Sequence, residues 1–273
     1  MSILTAKKEQ KVEFEVKTQK KQGGGRFFFF ILIVVCVGLC IVVSQFFSNI
    51  ISTGSVSFST FSTASSDKYT LYAVSLGSYP SQTQADDYAV SVRAKNAGGY
   101  VYKNNGKFFV IASIYEKKND AESVAENLST AGNSAEIVEL NVEKVNFNKI
   151  STQSLKKEFI EFLSLFKDVY TNMYDISVSL DTSVFSEAKA KIEVDGLKTK
   201  LSAAIEKLSN GTSSADGVYY VIIKNKAQNI IDELDEVVNF NETDTYPLGA
   251  KIKNTYISVV CDILDVVELL NQE

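Results

Sequence analysis

Tyr72-Ala73-Val74-Ser75-Leu76-Gly77-Ser78-Tyr79 decides the fold, because the chain repeats its pattern 36 residues later without a gap. Tyr72-Ala73-Val74 aligns with Phe108-Phe109-Val110, and Tyr79 with Tyr115. Further on, Ala85 aligns with Ala121, Asp86 with Glu122, Ala89 with Ala125 and Val92 with Leu128. Each copy opens with an alternating run, 70–76 and 107–112, the mark of a half-buried strand. Each continues as an Ala-rich amphipathic helix, over 81–96 and 117–131. Gly98-Gly99 and Gly132-Asn133 end these helices, being residue types that accept the left-handed cap position. Strands over 100–103 and 135–140 follow, and Asn104-Asn105-Gly106 reads as a hairpin turn. The resulting order, βαββαβ, is the ferredoxin-like split pattern with both helices on one face of a four-stranded sheet.

Strand parity then sorts the side chains. Tyr72, Val74 and Leu76, with Phe108, Val110 and Ala112, form the apolar set expected under the helices. Ala73, Ser75, Phe109 and Ile111 fall on the opposite face. That face is either an open binding platform or is covered by the C-terminal domain or a neighbouring chain.

Residues 151–273 lack strand-like alternation and carry helical periodicity instead. Ile252, Tyr256, Val259, Ile263, Val266 and Leu270 step by 4-3-4-3-4, a narrow apolar seam. Ile223, Ala227, Ile230, Leu234 and Val237 form a second seam. Further helices are expected over 155–180 and 184–208, with a kink at Asp195-Gly196. Breaks at Asp181-Thr182-Ser183, at Asn210 to Ser214 and at Asn241 to Pro247 make an antiparallel four-helix bundle.

The N-terminal part is of another kind. Residues 1–26 hold seven basic and three acidic side chains, and 27–47 run 21 residues without a charge. An apolar helix of that length spans a hydrocarbon core of about 30 Å. The basic flank puts the N-terminus inside and the C-terminus outside. A cleaved signal peptide would have a shorter apolar core, about 7–15 residues. Between 48 and 66, 11 of 19 residues are Ser or Thr, which reads as a flexible linker. The expected layout is therefore a basic cytoplasmic head (1–26), a transmembrane helix (27–47), a linker (48–66), an α/β domain (67–145) and a helical bundle (150–273). As a class this is α+β with a single span in a bacterial cytoplasmic membrane.

Composition narrows the function. The 273 residues include no His, which removes the commonest general base and metal ligand. No Ser-His-Asp triad or His-based zinc site can be written, and three Cys cannot make a Cys-only zinc site. The pairs Glu158/Glu161 and Asp262/Asp265 lie on helical surfaces with no sign of a cleft. The acidic run Asp232-Glu233 and Asp235-Glu236 reads as a solvated helix face. A formal net charge of −5 argues against nucleic acid as a partner. We therefore expect no enzyme activity, no cofactor and no metal.

The stretch 72–79 resembles the opening strand of the SPOR domain, the sporulation-related repeat, and the second copy follows that family's order over about residues 69–142. The resemblance implies binding of peptidoglycan glycan strands on the exposed sheet face, at division or sporulation septa. Carried onto this chain, it makes Ser75, Ser78, Tyr102, Phe109 and Ile111 the expected glycan-binding residues, with the bundle offered to a septal protein partner. The chain departs from the family pattern in three places. Ser75 stands where Gln is common, Phe109 where Arg is common, and Ser113-Ile114 where the third strand usually ends in Gly-Pro. The face is thus more apolar than usual. The alternative expectation is a membrane-anchored scaffold in which a degenerate SPOR fold and the bundle make protein–protein contacts.

Overall fold

A computed structural model describes residues 68–208, 217–241 and 245–272. Phe61–Glu273 forms one unit by its internal contacts, and Met1–Thr60 lies outside the described residues. The repeat folds as β1 (Tyr69–Tyr79), α1 (Gln82–Arg93), β2 (Tyr100–Asn104), β3 (Lys107–Tyr115), α2 (Lys118–Thr130) and β4 (Glu136–Val142). All pairings are antiparallel and the sheet order is β2-β3-β1-β4, so each copy contributes its first strand to the sheet centre. Ser81 caps α1 by accepting from the Gln84 backbone N–H, satisfying one of the otherwise orphaned donors of the first turn. Asn105 and Gly106 both take positive φ, which closes the β2–β3 hairpin as that turn type requires.

A short 3₁₀ turn (Phe147–Lys149) leads into four long helices: α3 (Gln153–Asp181), α4 (Glu187–Leu208), α5 (Gly217–Val238) and α6 (Leu248–Asn271). Each packs on the next, and α6 closes back on α3. Helix α4 runs unbroken through Asp195 and Gly196, where a kink was expected. An apolar helix face on both sides of a Gly holds it helical when nothing else competes for the backbone.

The expectation of a single transmembrane helix is corrected. Among the described residues no helix is long and apolar enough to cross a membrane. The physical reason is visible in α6, the helix with the most buried residues, which still carries Lys251, Lys253, Asp262, Asp265 and Glu268 at short intervals. The 27–47 stretch on which the span was placed lies outside the described residues, as do the head and the linker. The single-pass membrane localisation rested on that span, and no described helix supports it.

Two clusters of buried side chains divide along the sheet. Ala85, Ala89 and Val92 of α1 pack with Val110 under partly buried Leu76, Tyr79, Tyr88 and Phe108. On the other face Leu71, Ala73, Ile111, Ile114, Val138 and Leu140 join Phe159, Tyr256, Ile257 and Val260 in one cluster that runs through the helical bundle. Parity therefore places Leu76, Phe108 and Val110 on the α1 side as expected. What it could not say is that the second face is the floor of the larger core.

Candidate functional site

The sequence pointed to the sheet face. Two irregularities shape it. Val74 pairs with Ser113 but Ser75 with Ile111, leaving Ala112 as an extra residue on β3; Ser78 then pairs with Phe109, leaving two residues of β1 between paired positions. Bulges of this kind bend a strand and re-aim its side chains. The Ser75 hydroxyl is used up inside the bend, donating to the Gly77 carbonyl at 3.0 Å and accepting from the Gly77 N–H at 3.3 Å. Ser75 is 0% exposed and Ile111 1% exposed. Phe109 and Tyr102, directly paired across β2 and β3, are half-buried against the bundle side of the core. Of the five expected residues only Ser78 is exposed.

The cover is α6, and it is fitted closely. Lys253 donates to the Asn96 carbonyl at 2.8 Å and Asn254 to the Gly98 carbonyl at 3.0 Å. The Ile114 N–H donates to the buried Tyr256 hydroxyl at 3.4 Å. Gly98 is small of necessity: a Cβ there would stand 2.9 Å from the Ala112 carbonyl oxygen and 2.5 Å from the Ile257 Cδ1. Gly249 is equally tight against the Asn96 side chain, itself held at φ 64° and donating to Asp181 at 2.9 Å. Lys253 also pairs with Asp181 at 2.6 Å, tying α6 to the end of α3 at this corner. Tyr174 bridges the layers, its ring 6.1 Å from Tyr115 and 5.9 Å from Tyr256.

A buried polar cluster sits where β2 meets α5 and α6. The Tyr100 hydroxyl lies within hydrogen-bond reach of Ser258 and Cys261, and burial pushes both the phenol and the Cys261 thiol far up. The Ser258 hydroxyl donates to Glu233 Oε1 at 2.7 Å, while Glu233 Oε2 is buried with no hydrogen-bond partner. Burial, reinforced by Asp262 and Glu236 and opposed by Ser258 and Lys251, pushes the Glu233 carboxyl up to about 7. Sequence reasoning took Glu233 for a solvated charge. The missed signal was its spacing: it lies three residues after Ile230 and four before Val237, both fully buried, so it falls on the inward stripe.

At the far end of β1 the chain leaves the sheet and an open cleft of about 460 Å³ forms, lined by Leu76, Gly77, Ser78, Tyr79, Tyr88, Ser134 and Glu136. That volume lies in the range of about 300–1,000 Å³ usual for small-molecule sites. It is built by the same motif that decides the fold. The Tyr79 ring lies back over the strand against Gly77, where a Cβ would stand 3.1 Å from the Tyr79 hydroxyl and 3.2 Å from its Cε2, so the ring would have to give by a few tenths of an ångström. Tyr88, one turn and a half into α1, tilts against it with ring centroids 5.6 Å apart at 43°. Burial and then the neighbouring Tyr88 push the Tyr79 phenol up from its ordinary value. Two tilted rings, two serine hydroxyls and one carboxylate offer flat apolar surface beside hydrogen-bonding groups. Among the described residues no group of three or more His, Cys, Asp or Glu is placed to hold a metal ion.

No family model matches the chain, and no curated protein matches it. Among solved structures it is similar to the solution structure of the peptidoglycan binding domain of the B. subtilis cell wall lytic enzyme CwlC. Identity is 25%, covering 26% of this chain and 90% of that one, with a TM-score of 0.23.

Proposed function

We propose that the chain is a non-catalytic binding protein for peptidoglycan glycan strands, and that it holds the glycan in the Tyr79–Tyr88 cleft rather than on the sheet face. The carrying observation is the cleft itself. It is the end of the 72–79 motif that stays open, and its two tyrosines, Ser78 and Ser134 suit a neutral ring studded with hydroxyls. The septal setting implied by the SPOR resemblance belongs to the same reading, and a fluorescent fusion followed through division and sporulation tests it.

Pull-down of the purified full chain with amidase-treated sacculi tests the binding. Retention is expected, and Tyr88→Ala should weaken it about fivefold, the loss of ~1 kcal/mol of stacked apolar surface. Failure of the wild-type chain to be retained sinks the proposal.

One observation favours a second reading, a protein–protein scaffold. The sheet face that the resemblance assigns to glycan is sealed by α6, with Ala73 and Ser75 0% exposed. On that reading sacculi retain nothing, and a protein is captured instead by the outer surfaces of α4 and α5.

A further inference from the structure

Glu136 opens β4 at the rim of the cleft and is the one charged side chain among the described residues that line it. The next two glutamates are ion-paired: Glu139 on β4 with Lys118 at 3.6 Å, and Glu143, just past the strand, with Lys68 at 2.7 Å. Glu136 has no such ion-pair partner among the described residues, and it is exposed. A ligand whose ring stacks on Tyr79 and Tyr88 therefore meets a negative charge that no lysine or arginine of the cleft offsets.

We infer that the cleft selects glycans carrying a primary ammonium group beside the stacked ring, with the Glu136 carboxylate as the selecting group. The inference rests on the glycan reading of this cleft. Two sources supply that chemistry in a cell wall: a ring whose 2-amino group has lost its acetyl, or the free amine of a stem peptide on the adjacent ring. A free carboxylate in the same place is repelled. Because Glu136 is exposed, the gain is that of an exposed ion pair, about two- to fivefold in affinity, and it fades as salt screens it.

The experiment uses the full chain and two matched pairs of probes. The first pair is a tetramer of N-acetylglucosamine and its fully N-deacetylated counterpart, compared at a pH that keeps the ring amine protonated and at low and high salt. The second is intact sacculi with their stem-peptide amines left free or chemically acetylated. Each probe is titrated against wild type, Glu136→Gln and Glu136→Asp; the position is exposed, so neither variant threatens the fold.

Tighter binding of the deacetylated tetramer, lost at high salt and in Glu136→Gln but kept in Glu136→Asp, supports the inference with the ring amine as source. A preference confined to sacculi with free amines, with the same dependence on Glu136, supports it with the stem peptide as source. Equal binding within both pairs overturns the inference and leaves the glycan reading standing. If wild type binds none of the four probes the inference falls, and the glycan reading falls with it when amidase-treated sacculi also fail to retain the chain.

Discussion

Glu233→Gln should abolish one specific part of the protein's pH dependence. In the folded chain the Glu233 carboxyl is buried beneath α6, with Oε1 accepting from Ser258 and Oε2 unpartnered. It therefore titrates at about 7 instead of its ordinary 4.5. A folded-state value above the unfolded one means that the native chain binds the proton more tightly. Stability from this group is complete below pH 4.5, declines as pH rises towards 7, and is lost above that. At about 1.4 kcal/mol per pH unit, the decline amounts to about 3 kcal/mol. The protonated acid and the amide have nearly the same shape, and both leave a donor unpaired at the Oε2 position. Wild type and Glu233→Gln should therefore be close in stability at pH 4.5. At pH 8 the variant should be the more stable by about 3 kcal/mol, or about 6–12 °C in Tm for a chain of this size. Asp262 and Asp175 are also pushed up by burial and add slopes of the same sign, so the decisive quantity is the difference between the two proteins across the pH series. Thermal unfolding followed by circular dichroism gives it. Curves that stay parallel from pH 4.5 to 8 refute the buried-carboxylate argument.

Three other substitutions probe the joint and the cleft. Gly98→Ala forces a methyl against the Ala112 carbonyl and Ile257 and should cost about 1–3 kcal/mol; Gly196→Ala, in open space on the α4 surface, should instead stabilise by about 0.5–1 kcal/mol, both read from urea unfolding midpoints. Gly77→Ala should displace the Tyr79 ring, which sits 3.1–3.2 Å from the new Cβ, and weaken sacculus binding while leaving the unfolding midpoint nearly unchanged. Cys261, buried with its thiol pushed far up, should resist a soluble thiol reagent in the native chain and react readily in denaturant; rapid native labelling would contradict the close seating of α6.

Much of the α/β layer was legible because its signals are local. The duplication in 72–79 and 108–115 marks the two central strands, and Asn104-Asn105-Gly106 marks the turn between its neighbours. The cover over the sheet was not, because parity says which side chains share a face and nothing about what meets that face. Two traces of the cover are nevertheless in the sequence. Phe109 stands where the SPOR pattern commonly has Arg, with Ile111 on the same face, and an apolar face asks for a neighbour. Helix α6 also holds two apolar stripes: the seam Ile252, Tyr256, Val259, Ile263, Val266 and Leu270, and beside it Ile257, Val260 and Val267, all at most 3% exposed. A helix with one stripe needs one neighbour, whereas a helix with two must be sandwiched. The cleft was half legible: Ser78 was named, but Tyr79 was read for its place in the repeat and Tyr88 and Glu136 not at all. Their convergence depends on the distance between α1 and β4, which no local pattern encodes.

The sandwiching of α6 makes the two layers a single thermodynamic body. Removing residues 150–273 would strip cover from Leu71, Ala73, Ile111, Ile114 and Leu140, all at most 4% exposed. Exposing the four large ones alone forfeits on the order of 1.5–3 kcal/mol each, about as much as the whole stability of a domain, ~5–15 kcal/mol. The α/β layer alone keeps only the small cluster around Ala85, Ala89, Val92 and Val110. The full chain should therefore unfold in one calorimetric transition for the described layers, with calorimetric and van't Hoff enthalpies equal, and residues 67–145 expressed alone should aggregate or bind a hydrophobic dye. Two resolved transitions, or a monomeric and cooperatively folding 67–145 fragment, would show that the sheet face can be bared at little cost. In that case the glycan would regain the platform that the SPOR resemblance assigns to it, and the cleft at Tyr79 and Tyr88 would lose its claim to be the site.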